Sequence, residues 1–452
     1  MGEQSQNPID VGRFGRSAMG PTADVAVVGA GVVGASVALE LARRGLDVFV
    51  VDKGAGPGYG STSASSAIVR FNYSTWEGVA CSWESKHRWE CWEDHLGYRD
   101  TDGTACFRRC GMVVLDAPIA PRDRVLRLFD AAGIPYEEWD TAMLRGRVPG
   151  IDAGAYYPPK PVTSDDFFAD ANGELGAVFT PDAGYVDDPR LAAANLARAA
   201  AHRGARFGYH RKVRALTRRR NLWHLELSAG DILQAPIVVN AAGPWSSALN
   251  RMVHADADFT VGVRPMRQEV HQVPAPPGFT AIDAFFPAIA DLDLGTYMRP
   301  GSGGNMLVGG VEPECDRLEW IVDPDLASPR PTAERYEAQT VRAARRFPAM
   351  QVPNRPTGIA GVYDVADDWT PIYDCTSLPG FYVAIGTSGN QFKNAPTIGA
   401  VMGELITSVE AGRDHDQDPV HFRCPSTGHE VNLGAFSRRR KINTESSGTV
   451  MG

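Results

Sequence analysis

Lys393 lies in "GTSGNQFK", a small-residue turn at 386–393 that runs into the helix-like "NAPTIGAVMGELI". A cation at a helix N-terminus opposes the dipole unless an anion sits there. Lys393 is therefore either a solvated charge or a cation aimed at an anionic ligand. Far upstream, Gly29-Ala30-Gly31-Val32-Val33-Gly34 is a G-x-G-x-x-G, with Asp52 eighteen residues after its last glycine. That chemistry is the cradling of a pyrophosphate. Gly29 permits the tight turn, Gly31 lets backbone approach the phosphates, and Gly34 lets helix pack on sheet. The free N–H groups of the following helix face the anion, and Asp52 accepts hydrogen bonds from a ribose.

The elements around these residues fit that role. Val25–Val28 is a continuous apolar run, as in a parallel strand buried on both faces. Val33, Val37, Leu39 and Leu41 mark a helix ending at Gly45, and Val48–Val51 is a second strand ending at Asp52. Strand, glycine motif, helix, strand and acidic residue together make the motif strong. The glycine- and serine-rich "GYGSTSASSAIVR" at 58–70 then offers a second pass of backbone along a cofactor, with Arg70 in a new element. Similar grammar recurs at 187–207, in "APIVVNAAGPWSSAL" and in "GFYVAIGTSGNQFKNAP". One discontinuous nucleotide-binding domain explains this, at 23–90, 174–257 and 355–440. The blocks 91–173 and 258–354 carry short or alternating strands and form a second, sheet-rich domain. Residues 1–22 read as a flexible leader and 441–452 as a frayed tail.

Composition excludes several classes. With 452 residues, the chain is long enough for two or three cores. A net charge of −9 argues against a nucleic-acid binder. Seven scattered cysteines without a C-x-x-C argue against a disulfide framework or zinc site, and no metal is expected. No apolar run reaches a membrane span of about 18 residues, and no signal-peptide core precedes the first strand, so the expected location is the cytoplasm. Asp165–Asp166, Asp187–Asp188 and Asp367–Asp368 are adjacent pairs, whose side chains diverge on a strand; they read as turns and caps. His271 either faces the substrate or, the more common role, sits in a core or on a surface.

Four segments in order, with "VVNAAGPWSSAL" as a fifth, carry a resemblance. They are "VAVVGAGVVGASVALELARRGLDVFVVDK", "GSTSASSAIVRFNYS", "GYVDDPRLAAANLARAAAHRGA" and "GTSGNQFKNAPTIG". The chain resembles the D-amino-acid oxidase and sarcosine oxidase family of FAD-dependent amine oxidoreductases. Its "IVRFNYS" is most similar to sarcosine oxidases and dimethylglycine dehydrogenases. The resemblance implies an α/β fold: a glutathione-reductase-type Rossmann FAD domain with a parallel sheet, plus an antiparallel substrate sheet. It implies that Gly29, Ala30, Gly31, Val32, Val33, Gly34, Asp52 and Lys53 hold the ADP half. Ser61, Thr62 and Ser63 would meet the pyrophosphate region, and Val213 the adenine. Ala241, Ala242, Gly243 and Trp245 would line the cofactor. Gly386, Gly389, Asn390, Gln391, Phe392 and Lys393 would lie near the isoalloxazine ring. Arg70 and Lys393 match two cations that grip a substrate carboxylate, and Tyr297 matches a pocket aromatic.

The sequence departs from the family pattern in two places. Covalent FAD attachment in the family uses a cysteine where Gly361 stands here, or a histidine in the loop 61–66, which has none; non-covalent FAD is expected. Where monomeric sarcosine oxidases place a lysine over the flavin, "GGNMLVGG" offers Met306 or Leu307, which leaves oxidase and dehydrogenase both open. The expected reaction is oxidation of a secondary or tertiary amine, an N-methyl amino acid, by hydride transfer to flavin N5. The resulting imine is hydrolysed. The acceptor is O2 or another oxidant. The alternatives are a primary or cyclic amino acid as substrate, or a flavin-holding subunit of a larger complex; a homo-oligomer or partner subunits stay open.

Overall fold

The computed structural model describes residues 21–279 and 286–452. Most of the expected leader therefore lies outside the described residues. A first sheet is built from β1 (Val25–Val28), β2 (Val48–Val51), β3 (Arg206–Gly208), β4 (Ile237–Asn240), β5 (Ile372–Cys375) and β6 (Phe381–Ile385). Its spatial order is β5-β6-β4-β1-β2-β3. The strands run parallel except for β5, which pairs antiparallel with β6. All residues of β1, β2, β4 and β6 are buried, which is why, the terminal Asn240 of β4 apart, they read as apolar runs.

Four helices pack around this sheet: α1 (Val32–Arg43), α2 (Trp76–Glu90), α3 (Pro189–His202) and α4 (Ala395–Glu410). Helix α1 lies between α3 and α4. At its contact with α4 the backbones approach so closely that a Cβ on Gly399 would stand 2.3 Å from Ser36 Oγ. Helix α3 is started by Asp188, whose carboxylate accepts from the Leu191 N–H at 2.9 Å, and by Pro189 in its first turn. Removing that cap should cost about 1 kcal/mol. Asp188→Ala should therefore lower Tm by a few degrees with cofactor content unchanged, as thermal unfolding and visible absorbance would record.

A second sheet has nine strands. From one edge they run Glu319–Trp320, Val263–Pro274, Asn305–Gly310, Thr296–Pro300, Ala288–Asp291, Met112–Leu115, Ala177–Thr180 and Glu137–Trp139; Gly358–Ala366 also pairs with Val263–Pro274. Pairing is antiparallel except between Ala288–Asp291 and Met112–Leu115. Two strands differ from the expected boundaries. Ala177–Thr180 and Gly358–Ala366, assigned by sequence to the nucleotide-binding part, hydrogen-bond into this sheet. Apolar patterning shows that a segment is a strand; its partner is fixed by long-range register, which patterning does not carry.

Helix Ala333–Arg346 covers this sheet. Its fully buried Arg346 binds Asp291 at 2.7 Å and Asp293 at 2.8 Å. His271 sits in the same layer, fully buried, with its ring 5.2 Å from that of Tyr336. Burial, then Arg267, push it down to about 4. It is a core histidine and does not line the cavity described below.

Residues 441–452 are not frayed. Val450 and Met451 are buried, and the backbone around them is anchored on both sides. A short antiparallel sheet of Ile68–Val69, Gly184–Val186 and Phe107–Arg109 leads the chain to Arg70 beside them.

Candidate active site

One large cavity, about 1180 Å³, joins the C-terminal ends of the first sheet to the second sheet. At one end is the glycine turn. Gly29 has φ +109°, and a Cβ there would lie 2.3 Å from the Ala241 carbonyl oxygen. Both oxygens of Asp52 are used by backbone: Oδ2 accepts from Ala30 N–H at 2.6 Å and Oδ1 from Gly54 N–H at 2.6 Å. Thr62 Oγ1 accepts from Val32 N–H at 3.1 Å. The space beside Gly31 is otherwise open, with only Thr62 Oγ1 within reach of an added Cβ, at 3.3 Å. A helix start without a side chain of its own as cap, a bare Gly31 and a carboxylate at the next strand end fit a dinucleotide.

Of the residues expected around a cofactor, Gly29, Gly31, Val32, Val33, Asp52, Lys53, Ser61, Thr62, Val213, Ala241, Ala242, Gly243, Trp245, Gly389, Asn390, Gln391, Phe392 and Lys393 line the cavity. Ala30, Gly34, Ser63, Gly361 and Gly386 do not. The three glycines among them pack behind the lining. Gly34 packs on the Gly29 carbonyl, Gly386 lies against Ala366 and Val263, and Gly361 lies against Ala64 of the serine-rich loop. A side chain at any of these three glycines would crowd those neighbours.

Lys53 lies 3.6 Å over the Trp245 ring and pairs with Asp325. Asp325 also accepts from Trp245 Nε1 at 2.9 Å and Lys212 Nζ at 3.0 Å. Burial raises the Asp325 carboxyl, but the two lysines outweigh it and hold the group at about 2. Sequence reasoning missed Asp325 because it lies in the inserted block, with no motif around it.

The other end of the cavity holds both expected cations. Lys393 is 2% exposed; its Nζ donates to the Asn390 carbonyl at 2.5 Å and lies 4.6 Å over the Tyr73 ring. Trp89 Nε1 donates to the Lys393 carbonyl at 2.7 Å, so α2 fixes the turn from behind. Arg70, 5% exposed, lies 5.4 Å from the same Tyr73 ring. It donates to the carbonyls of Asn72, Val450 (2.5 Å) and Met451 (2.9 Å). All these acceptors are neutral, so the dipole conflict at Lys393 is met by a carbonyl and a ring face. Burial, then Arg70, hold the Lys393 amine well below the ordinary lysine range. Burial likewise lowers Arg70, against Tyr73 and Glu312.

Tyr297 lines the cavity as expected, and its OH lies 2.5 Å from Ser66 Oγ. Burial raises its phenol to about 12. Tyr363, unexpected from sequence, lines the cavity on the facing strand. Its ring fills the place a Cβ on Gly389 would take, at 2.3 Å, where Gly389 has φ +69°. Met306 points into the apolar core of the second sheet, and Leu307 is not among the lining residues. Among the described residues, the one cluster with metal-ligand chemistry is Asp374, Cys375 and Asp416. Arg438 already occupies it, at 3.1 Å from Asp374 and 2.9 Å from Asp416. No helix among them is long and apolar enough to cross a membrane.

The family model described as FAD dependent oxidoreductase matches residues 24–405. Glycine oxidase of Geobacillus kaustophilus is 25% identical over 397 residues, covering 86% of this chain and 94% of that protein. The crystal structure of glycine oxidase from Geobacillus kaustophilus superposes with a TM-score of 0.70 at 23% identity, covering 94% of this chain and all of the other. The structure of L-proline dehydrogenase from P. horikoshii gives 0.72 at 20% identity, covering 93% and 98%. These structural likenesses show the fold.

Proposed function

The chain belongs to the FAD dependent oxidoreductase family, and on that premise we propose that it oxidises the C–N bond of an amino acid, with N-methyl amino acids as the substrate class. The observation that carries this reading is the pair Arg70 and Lys393, brought from opposite ends of the sequence into the same cavity as the glycine cradle. Their hydrogen-bond acceptors are all neutral carbonyls. Two buried basic groups whose contacts are neutral carbonyls and one shared ring face, that of Tyr73, favour an anion between them, and the planar guanidinium suits a carboxylate.

FAD, when bound, supplies the two-electron acceptor; the protein supplies orientation and charge. The glycine turn and Thr62 would hold the pyrophosphate, and the turn 389–393 would border the reacting end. Arg70 and Lys393 would fix the carboxylate, so that the neighbouring C–H is presented in one geometry and positioning supplies much of the acceleration. Tyr297 and Tyr363 would wall the site against water. The absence of a histidine in 61–66, with glycine at 361, supports non-covalent attachment. The name of the curated relative, a glycine oxidase, agrees with an amino-acid substrate.

The test is anaerobic bleaching of the bound flavin with a panel of N-methyl amino acids, primary and cyclic amino acids, and amines without a carboxylate. Bleaching by the last group alone would end the carboxylate reading. Re-oxidation by air in the same cuvette separates oxidase from dehydrogenase. Co-purifying chains would point to the flavin-holding-subunit alternative.

A pH dependence follows from Lys393. Its folded-state proton affinity is depressed, whereas a bound carboxylate favours the charged amine. Affinity for a carboxylate inhibitor such as acetate should be full where Lys393 is protonated and fall as pH rises. Titrations of the flavin spectrum would record this, and Lys393→Met should bind weakly and flatten the profile.

A further inference from the structure

Glu312 is a buried carboxylate that none of the roles above uses. It follows the strand Asn305–Gly310, whose Gly309 lies under the Tyr297 ring. Its backbone has φ +51°, an uncommon conformation for a residue with a side chain. Oε1 accepts from Gln268 Nε2 at 2.8 Å, and Oε2 accepts from the Val450 N–H at 2.8 Å. The carbonyl of the same Val450 accepts from Arg70 Nη2 at 2.5 Å. One residue's N–Cα–C=O unit, the skeleton of an α-amino acid, is thus held by a carboxylate at its nitrogen and a guanidinium at its carbonyl. Val450 and Met451 line the cavity that holds Lys393, Tyr297 and Tyr363.

We propose that Glu312 reads the amino group of the substrate while Arg70 reads its carboxylate, and that the backbone of Val450 fills the place of that amino-acid unit until substrate displaces it. This rests on the carboxylate reading above and deepens it: the ligand must carry an N–H and a carboxylate on neighbouring atoms. The charges support it. Burial pushes the Glu312 carboxyl up to about 8, against the Val450 N–H, Arg335 and Arg70. An arriving ammonium stabilises its anion, and in a buried site that attraction is little screened. Substrate would exchange two hydrogen bonds in which only the protein group carries charge for two between opposite charges, its ammonium on Glu312 and its carboxylate on Arg70.

The test uses the full-length, FAD-loaded protein and two sets of probes. N-methylglycine, glycine and L-proline carry both groups; acetate and propionate carry only the carboxylate. Dissociation constants come from anaerobic flavin spectra and from the concentration dependence of bleaching. Glu312→Gln keeps the shape and removes the charge. It should weaken the amino acids about 30-fold or more and shift acetate by less than about threefold. Val450→Pro removes the N–H given to Glu312. It should loosen the docked segment and tighten both sets about tenfold.

A merely structural Glu312 would move both sets together in the Gln variant, and that result overturns the proposal. Unchanged affinities in Val450→Pro overturn it as well, even if the Gln variant fails to fold. The two readings fail differently. If wild-type protein binds amino acids no better than acetate, the amino-acid substrate falls. If it prefers amino acids and Glu312→Gln keeps that preference, only the assignment of Glu312 falls.

Discussion

Arg70→Ala should lower kcat/KM for a carboxylate-bearing substrate by about 30- to 4000-fold. The range corresponds to the roughly 2–5 kcal/mol lost when one partner of a buried, hydrogen-bonded charge pair is truncated. Arg70 is 5% exposed, so bulk water does not replace it easily. Lys393 remains, but burial depresses its charge, and one depressed amine cannot reproduce a planar two-point grip. Most of the loss should appear in KM, with a part in kcat because the substrate carbon is no longer fixed. Arg70→Lys should fall between, since charge without the fork restores attraction but not alignment. Arg70→Ala also releases the Val450 and Met451 carbonyls, so Tm should be recorded alongside turnover. Steady-state kinetics that left turnover of the true substrate within about threefold of wild type would remove Arg70 from the site.

Gly29→Ala should abolish stable FAD binding and destabilise the protein by about 2–5 kcal/mol. A non-glycine residue in the left-handed region costs about 1–2 kcal/mol, and overpacking adds about 1–3. The steric part is backbone against backbone. The new Cβ would stand 2.3 Å from the Ala241 carbonyl oxygen and 2.8 Å from its carbon. No side-chain rotation relieves that, so β1 and β4 must separate where the cradle begins. Gly31→Ala provides the contrast. Its Cβ meets only Thr62 Oγ1, at 3.3 Å, and otherwise projects toward where a pyrophosphate would lie. That variant should keep the Tm of the FAD-free protein and still lose flavin. Visible absorbance after gel filtration and thermal unfolding of FAD-free protein separate the two effects. A Gly29→Ala protein with full flavin content and native Tm would refute the close-packing argument.

Much of the fold was legible because its signals are local. Valine runs marked the strands buried on both faces, and the glycine spacing marked the turn at Gly29 and the helix after it. The small-residue turn around Lys393 gave its position at the start of α4. These features depend on backbone sterics and periodicity, which a short window of sequence contains. The family resemblance added Arg70 and Tyr297, both of which line the cavity.

Other features were not legible. Ala177–Thr180 and Gly358–Ala366 look like any buried strand, and only pairing across the chain places them in the second sheet. Residues 441–452 look like a polar tail, yet the segment docks because Arg70 and Glu312 hold its backbone. A docked segment of this kind is invisible to sequence patterning, since its anchors are its own N–H and C=O groups, which every residue possesses. Asp325, Tyr363 and Glu312 lie outside any motif; each becomes notable only through what surrounds it. The sequence by itself determined the glycine turn with its flanking strands and helix and the place of Lys393 at a helix start, because backbone sterics and periodicity are local. The tertiary structure decided what stands opposite them, because burial, charge pairing and access depend on which distant segments meet.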